Sequence, residues 1–203
     1  MSPRWTPLGV EDCDEDPFVQ FATWFDEARD LMLERETVAL VTSTPDGHPS
    51  ARMVLLRYVD GQSFGWYSNY LSRKGRELEE NPFAALLWYC EPLGRQIRIE
   101  GHVESMSAAE SDAYFASRPR GHQIGAHASH QSQRLDSREQ LEAEVVEVEE
   151  LYVGRDVDRP AHWGGFKLTP SYFEFWQHRE DRLHDRVVYE RDAASWQRER
   201  RAP

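Results

Sequence analysis

The sequence predicts a mainly β protein, a mostly antiparallel barrel with peripheral helices. Two observations carry that expectation. Short runs rich in β-branched and aromatic residues ("TVALVTS", "FGWYSN", "FAALLWY") recur between turn signals. The early runs are joined directly by Pro45-Asp46-Gly47 and Asp60-Gly61, which make hairpins, while helix-start signals fall between the later runs. About six or seven strands are expected, a number suited to a small barrel.

Residues 1–15 are polar, acidic and without periodicity, and read as a mobile N-terminal arm; residues 16–203 read as one domain. Asp16-Pro17 is an N-cap followed by proline at the first helical position, and Phe18, Phe21, Ala22, Phe25 and Ala28 continue at helical spacing. That spacing predicts a helix to about Leu33. The period changes at Thr37, giving the strand "TVALVTS", a turn, and the strand "ARMVLLRYV". After "FGWYSN" a helix is predicted from Ser72 to Glu80, followed by the strands "FAALLWY" and "RQIRIEGHVESM". Ser107-Ala-Ala-Glu110 and Ser137-Arg-Glu-Gln140 each read as a capping box. "GAHASHQSQ" reads as a polar loop, and the acidic "REQLEAEVVEVEELY" as a helix with a solvated face. The strands "GGFKLTP", "YFEFWQ" and "DRVVYERD" and a short one around Trp196 complete the chain.

Composition removes several function classes. A net charge of −12 argues against a general nucleic-acid binder, which needs a basic face, although a local basic pocket for one small anion is compatible with it. Cys13 and Cys90 stand apart, which supports neither a disulfide framework nor a thiolate metal site. No basic-then-apolar leader and no apolar run of about 18 residues is present, so a cytoplasmic protein without a membrane span is expected. The chain has 22 arginines but only two lysines, Lys74 and Lys167.

Several stretches have the residue types for binding a flat anion. "RLHDR" at Arg182–Arg186 sets two arginines and a histidine around Asp185 in a segment that alternates like a strand. A surface strand has no need of that cluster, whereas a pocket for an anionic, planar ligand has. Ser72 caps a helix whose first turn carries Arg73 and Lys74; free backbone N–H groups, the helix dipole and two cations make a phosphate site. Arg52 and Arg57 stand at the two ends of "ARMVLLR", and their odd separation predicts opposite faces. Tyr114, Arg118 and Arg120 gather at a helix C-terminus, and Gln131-Ser132 can donate to an oxygen-rich ligand. Trp176 is a candidate aromatic wall. His122, His127 and His130 match no standard metal spacing, so no metal is expected. No G-x-S-x-G elbow, G-x-G-x-x-G turn or P-loop occurs. Phosphate sites and an aromatic slot without a hydrolytic pair suit a cofactor that performs its own redox chemistry.

Taken in order, "RMVLLR", "YSNYLSRKGREL", "RQIRIEG", "YFASRPRG", "SHQS", "HWGGFKL", "EFWQ" and "RLHDR" with the closing "RAP" resemble the pyridoxine/pyridoxamine 5′-phosphate oxidase family, from about Asp16 to Pro203. The resemblance implies an FMN-binding split barrel and a homodimer with two FMN sites at the interface. It implies FMN contacts at Arg52, Met53, Val54, Leu55, Leu56, Arg57, Tyr67, Ser68, Arg73 and Lys74. Further FMN contacts fall at Gln96, Gln131, Ser132, Trp176 and Arg186, and Arg73 and Lys74 would hold the FMN phosphate. The substrate phosphate would lie on Arg57, Tyr114, Arg118 and His122. Arg182 and His184, with Leu183 between them, would place the pyridine ring and act as the catalytic pair. The implied reaction oxidises pyridoxamine or pyridoxine 5′-phosphate to pyridoxal 5′-phosphate, with O2 as acceptor and hydrogen peroxide as by-product. Departures from the family pattern fall on the substrate side: Arg57 for a usual Lys, His122 for a small hydroxyl residue, His178 for Gly, and an arm without the Arg/Tyr lid segment. A related flavin oxidase of another planar substrate, of the phenazine-biosynthesis type, and a non-catalytic FMN or pyridoxal-phosphate binder are the alternatives.

Overall fold

The computed structural model describes residues 6–193 and 195–203. Its nine described strands form one antiparallel sheet. They are β1 (Thr37–Ser43), β2 (Pro49–Leu55), β3 (Tyr58–Val59), β4 (Phe64–Asn69), β5 (Phe83–Cys90), β6 (Arg95–Ser105), β7 (Trp163–Gln177), β8 (Asp185–Asp192) and β9 (Ser195–Arg200). The helices are α1 (Pro17–Glu27), α2 (Arg73–Glu80), α3 (Ala108–Ser117), α4 (Arg120–Ala128) and α5 (Arg138–Leu151). The main path runs β2-β1-β5-β6-β7-β4-β3, and β8 and β9 extend from β7.

β7 explains the split. Along one edge it pairs with β6; along the other, its first half pairs with β4 and its second half with β8. Pro170, which cannot donate a ladder hydrogen bond, sits where the β6–β7 register shifts at Glu100/Gly101 and between the β4 and β8 pairings. The sheet therefore divides into two flaps instead of closing. The long-range aromatic core fills the fold. Phe18 of α1 stacks on Phe64 at 5.2 Å, and Trp24 meets Phe175 edge-on at 5.2 Å. A second cluster of Phe115, Ile124, Tyr152, Val157 and Trp163 ties α3 and α4 to the start of β7.

The structure corrects four details. The helix after Asp16 ends at Glu27, not near Leu33, because the chain turns at Ala28 and leaves Leu31 and Leu33 exposed. Sequence periodicity continued where burial did not. "GAHASHQSQ" is not all loop: α4 runs through Ala128 behind Pro119, and Gln131-Ser132 follow it. Ser137 does cap α5, but Gln140 reaches back to the N–H of Asp136 rather than closing a box. Within the predicted mobile arm, Leu8 and Cys13 are buried, the Leu8 N–H donates to Asp185 at 3.1 Å, and Tyr189 donates to the Asp14 carbonyl at 2.6 Å. Single-residue anchors of this kind leave no periodic signal. Residues 1–5 of that arm lie outside the described residues. Among the described residues no helix is long and apolar enough to cross a membrane.

Candidate active site

The first turn of α2 is fixed by its cap. Ser72 Oγ accepts from the Gly75 N–H at 3.3 Å and donates to the Asn69 carbonyl at 2.7 Å. Gly75 is required there, because a Cβ would collide with the Tyr70 backbone. The helix start is thereby pressed against the end of β4, beside Ser68. Lys74 reaches into that corner and is only 7% exposed. Its Nζ donates to Gln131 Oε1 at 2.7 Å, Ser68 Oγ at 3.0 Å and Ser72 Oγ at 3.1 Å, all neutral acceptors. Burial, with Arg52 adding its repulsion, pushes the Lys74 ammonium down to about 8.

Two other cations of this end, Arg73 and Arg52, share one buried carboxylate. Glu77, one turn beyond Arg73, is buried beneath β1 and β2. Its carboxylate takes Arg73 Nε at 2.8 Å, Ser50 Oγ at 2.5 Å, the Thr42 hydroxyl, and Arg52 Nη2 at 3.4 Å. Burial alone would raise the Glu77 carboxyl, yet the bonds from Ser50, Thr42 and Arg73 hold it down at about 2. Arg52 is braced further by the Leu40 carbonyl at 3.0 Å and Thr42 Oγ1 at 2.7 Å. Local sequence reading missed Glu77, although its spacing from Arg73 is that of a helical ion pair.

These residues border a cavity of about 600 Å³. β2 and the residues after it contribute Ser50, Ala51, Arg52, Met53, Val54, Leu55 and Arg57. Tyr67, Ser68, Arg73 and Lys74 come from β4 and α2, and Tyr114, Arg118, His122, Gln131, Ser132 and Trp163 complete the lining. Arg57 corrects the strand argument: β2 ends at Leu55, alternation stops there, and both Arg52 and Arg57 face this one cavity. Ser132 adopts a left-handed φ of 70°, a costly conformation for a side-chain-bearing residue that recurs at ligand sites. Leu56 is absent from the lining because its side chain is buried in the core.

An aromatic wall stands in the cavity. Tyr67 and Tyr114 stack with centroids 3.7 Å apart and planes 8° from parallel. Trp163 lies parallel to both, at 5.5 Å and 6.3 Å. Over the Trp163 ring, 4.5 Å from its centroid, sits the Arg118 guanidinium, and Arg118 Nη1 is buried with no hydrogen-bond partner among the described residues. Trp163 was not singled out in the sequence, since nothing local shows which tryptophan meets which arginine.

A second group of expected site residues lies apart from this cavity. Trp176 pairs with Gln96 on β6 and Arg186 on β8, and its ring is 4.4 Å from that of His184. "RLHDR" is less of a strand than its alternation suggested. Glu180–Arg182 form a 3-10 turn, Asp181 and Arg182 have left-handed φ of 55° and 61°, and β8 begins only at Asp185. Asp185 is satisfied by Arg200 at 2.8 Å and Arg179 at 3.5 Å, not by its "RLHDR" neighbours. Arg186 pairs with buried Glu174 at 2.5 Å, which Arg98 also holds at 3.0 Å. Arg182 and Leu183 remain exposed. His184 Nδ1 accepts the Arg179 N–H at 3.1 Å, so the neutral ring carries its proton on Nε2. Burial, then His178 and Arg182, lower the His184 pKa and favour that neutral form. Among the described residues no His/Cys/Asp/Glu group is arranged to hold a metal.

The chain matches the family model described as pyridoxamine 5′-phosphate oxidase over residues 25–152, and that described as the pyridoxine 5′-phosphate oxidase C-terminal dimerisation region over residues 163–203. It is 50% identical over 197 residues to the pyridoxine/pyridoxamine 5′-phosphate oxidase of Rubrobacter xylanophilus, covering 97% of this chain and 91% of that one. The enzyme of that name from Paraburkholderia xenovorans is 52% identical over 199 residues, covering 97% and 93%. Among solved structures, PhzG from Burkholderia lata 383, in complex with tetrahydrophenazine-1-carboxylic acid, superimposes with a TM-score of 0.91 at 32% identity, covering 98% of this chain and 100% of that one.

Proposed function

Because the chain belongs to the pyridoxine/pyridoxamine 5′-phosphate oxidase family, we propose that it is an FMN-dependent oxidase converting pyridoxamine or pyridoxine 5′-phosphate to pyridoxal 5′-phosphate, with O2 as acceptor. One observation carries the reading. Among the described residues, a single cavity presents two cations that are buried or half-buried without a carboxylate partner, Lys74 and Arg118, beside a stacked aromatic wall. A buried uncompensated cation is costly, and an anionic phosphate removes the cost. The residues present therefore fit FMN at the α2 start and a second phosphate at Arg118.

The chemistry the flavin supplies, when bound, is acceptance of a hydride equivalent and its return to O2 as hydrogen peroxide. The chain's part is placement. Lys74, Arg73 and the α2 N–H groups would grip the FMN phosphate, with Ser68, Gln131 and Ser132 alongside. Arg118, Tyr114, His122 and Arg57 would anchor the substrate phosphate. His184 would donate from Nε2 to the pyridine substituents, and Arg182 would cover the ring.

Gln96, Trp176, Arg182, His184 and Arg186 do not line the cavity of their own chain. Most of them fall in the matched dimerisation region. In this reading a homodimer brings them to the partner's cavity, with both FMN sites at the interface, and exposed Leu183 is buried there. The PhzG likeness supports a second reading, oxidation of another planar substrate; the unpaired Arg118 and neighbouring Arg57 favour a phosphate ester. Purified flavin-bound protein is expected to release peroxide with pyridoxamine or pyridoxine 5′-phosphate. Peroxide from neither would reject the assignment and direct attention to dihydrophenazine substrates.

Lys74 adds a pH signature. Its folded-state pKa of about 8 lies below the ordinary 10.5, so in flavin-free protein the charged form destabilises the fold below pH 8 and the cost lifts as pH rises between those values. Phosphate binding has the opposite sign, because it needs the ammonium. Raising pH from 7 to 9 is therefore expected to weaken FMN binding about tenfold, by flavin fluorescence titration, and to leave riboflavin binding unchanged. Equal pH dependence for both flavins would place the phosphate away from Lys74.

A further inference from the structure

Arg118 is held in an unusual way for a half-buried cation. The residue caps the C-terminal end of α3, with its N–H on the Phe115 carbonyl at 3.1 Å. Its guanidinium carbon lies 4.5 Å from the centroid of Trp163 and 5.7 Å from that of Phe115. Among the described residues no carboxylate pairs with it, and Nη1 is buried without an acceptor. Two arginines of the same cavity differ: Arg52 and Arg73 are both tied to Glu77.

An aromatic face and a carboxylate do different things to a guanidinium. A carboxylate takes the in-plane N–H groups and cancels the charge. An indole supports the flat face, leaves the N–H fork in the plane free, and leaves the charge intact. Trp163 is itself rigid: it is buried at the start of β7, paired with Asn69, its carbonyl accepts from Arg159 at 2.6 Å, and its plane continues the Tyr67–Tyr114 stack.

We infer that Trp163 is the positioning residue that makes this cavity selective for a phosphorylated over an unphosphorylated substrate, by holding Arg118 in place without neutralising it. The inference rests on the proposed function for the identity of the substrate, but the role of the tryptophan can be read by binding alone.

The experiment compares wild type, Trp163→Phe and Trp163→Leu as flavin-loaded proteins, with flavin content and thermal midpoint as controls for folding. Affinities for pyridoxal 5′-phosphate and for pyridoxal are measured by absorbance titration, and KM and kcat with pyridoxine 5′-phosphate by peroxide release. Trp163→Leu is expected to weaken pyridoxal 5′-phosphate and raise KM about tenfold, with kcat within about twofold and pyridoxal binding unchanged, the size expected from losing one cation–π support. Trp163→Phe, which keeps an aromatic face, should recover most of the loss. Equal weakening of pyridoxal and its phosphate, or a phenylalanine variant as weak as the leucine one, overturns the inference. Protein that binds pyridoxal 5′-phosphate selectively but oxidises neither B6 phosphate ester removes the proposed reaction, and the ratio of affinities between variants still decides the role of Trp163. Wild type without preference for the phosphate removes both.

Discussion

Replacing Arg73 and Lys74 together with alanine is expected to give protein that purifies colourless, with FMN affinity lowered on the order of a hundredfold or more. The figure follows from two charge-assisted hydrogen bonds at roughly 1.5–3 kcal/mol each. The chain should nonetheless fold. Lys74 is a buried cation among neutral acceptors, so removing it relieves a desolvation cost when no anion is present. Arg73 is largely exposed, and Glu77 keeps Arg52, Thr42 and Ser50 after its loss. Absorbance near the flavin band, measured against protein concentration after gel filtration, checks it. Full yellow colour in the double variant would move the phosphate site elsewhere.

Changing Arg182 to alanine is expected to leave flavin content near normal and to cost turnover at least tenfold, the loss of one charge-assisted contact to substrate. The more searching form of the test pairs this variant with the Arg73/Lys74 double variant by co-expression. If the cavity of one chain is completed by the 179–186 segment of the other, each mixed dimer contains one intact site. Random pairing then restores roughly a quarter of wild-type activity, from two parents that are each close to inactive. A site complete within one chain gives no recovery. The separation of the two residue groups within one chain motivates the experiment: Lys74, Arg118 and Tyr114 line the cavity, while Arg182 and His184 stand in a different patch with Trp176.

Much of the architecture could be read from the sequence. Asp16, Ser72, Ser107 and Ser137 do cap helices, and the early strands do form hairpins. These features depend on neighbours within a few residues, which is why they are legible. Errors came where a local rule was extended past its element. Helical spacing after Glu27 and strand alternation after Leu55 both described backbone that had already turned. The third case, α4 within "GAHASHQSQ", begins with no side-chain cap and so gave no start signal.

The sequence by itself determined the inventory: where extended runs and helix caps fall, though nine strands are described where about six or seven are expected, and that arginines, Lys74 and aromatic rings recur in the order of one enzyme family. Only the tertiary structure decided which of those cations share a buried carboxylate and which have none beside them. Arg52 and Arg73 converge on Glu77, and Arg98 and Arg186 on Glu174, whereas Lys74 and Arg118 find no carboxylate among the described residues. The physical reason is range. Apart from the one-turn Arg73–Glu77 pair, each pairing depends on the register of strands, or of a strand and a helix, distant in sequence, and on burial that strengthens one contact and forbids another, and neither leaves a periodic trace in the chain.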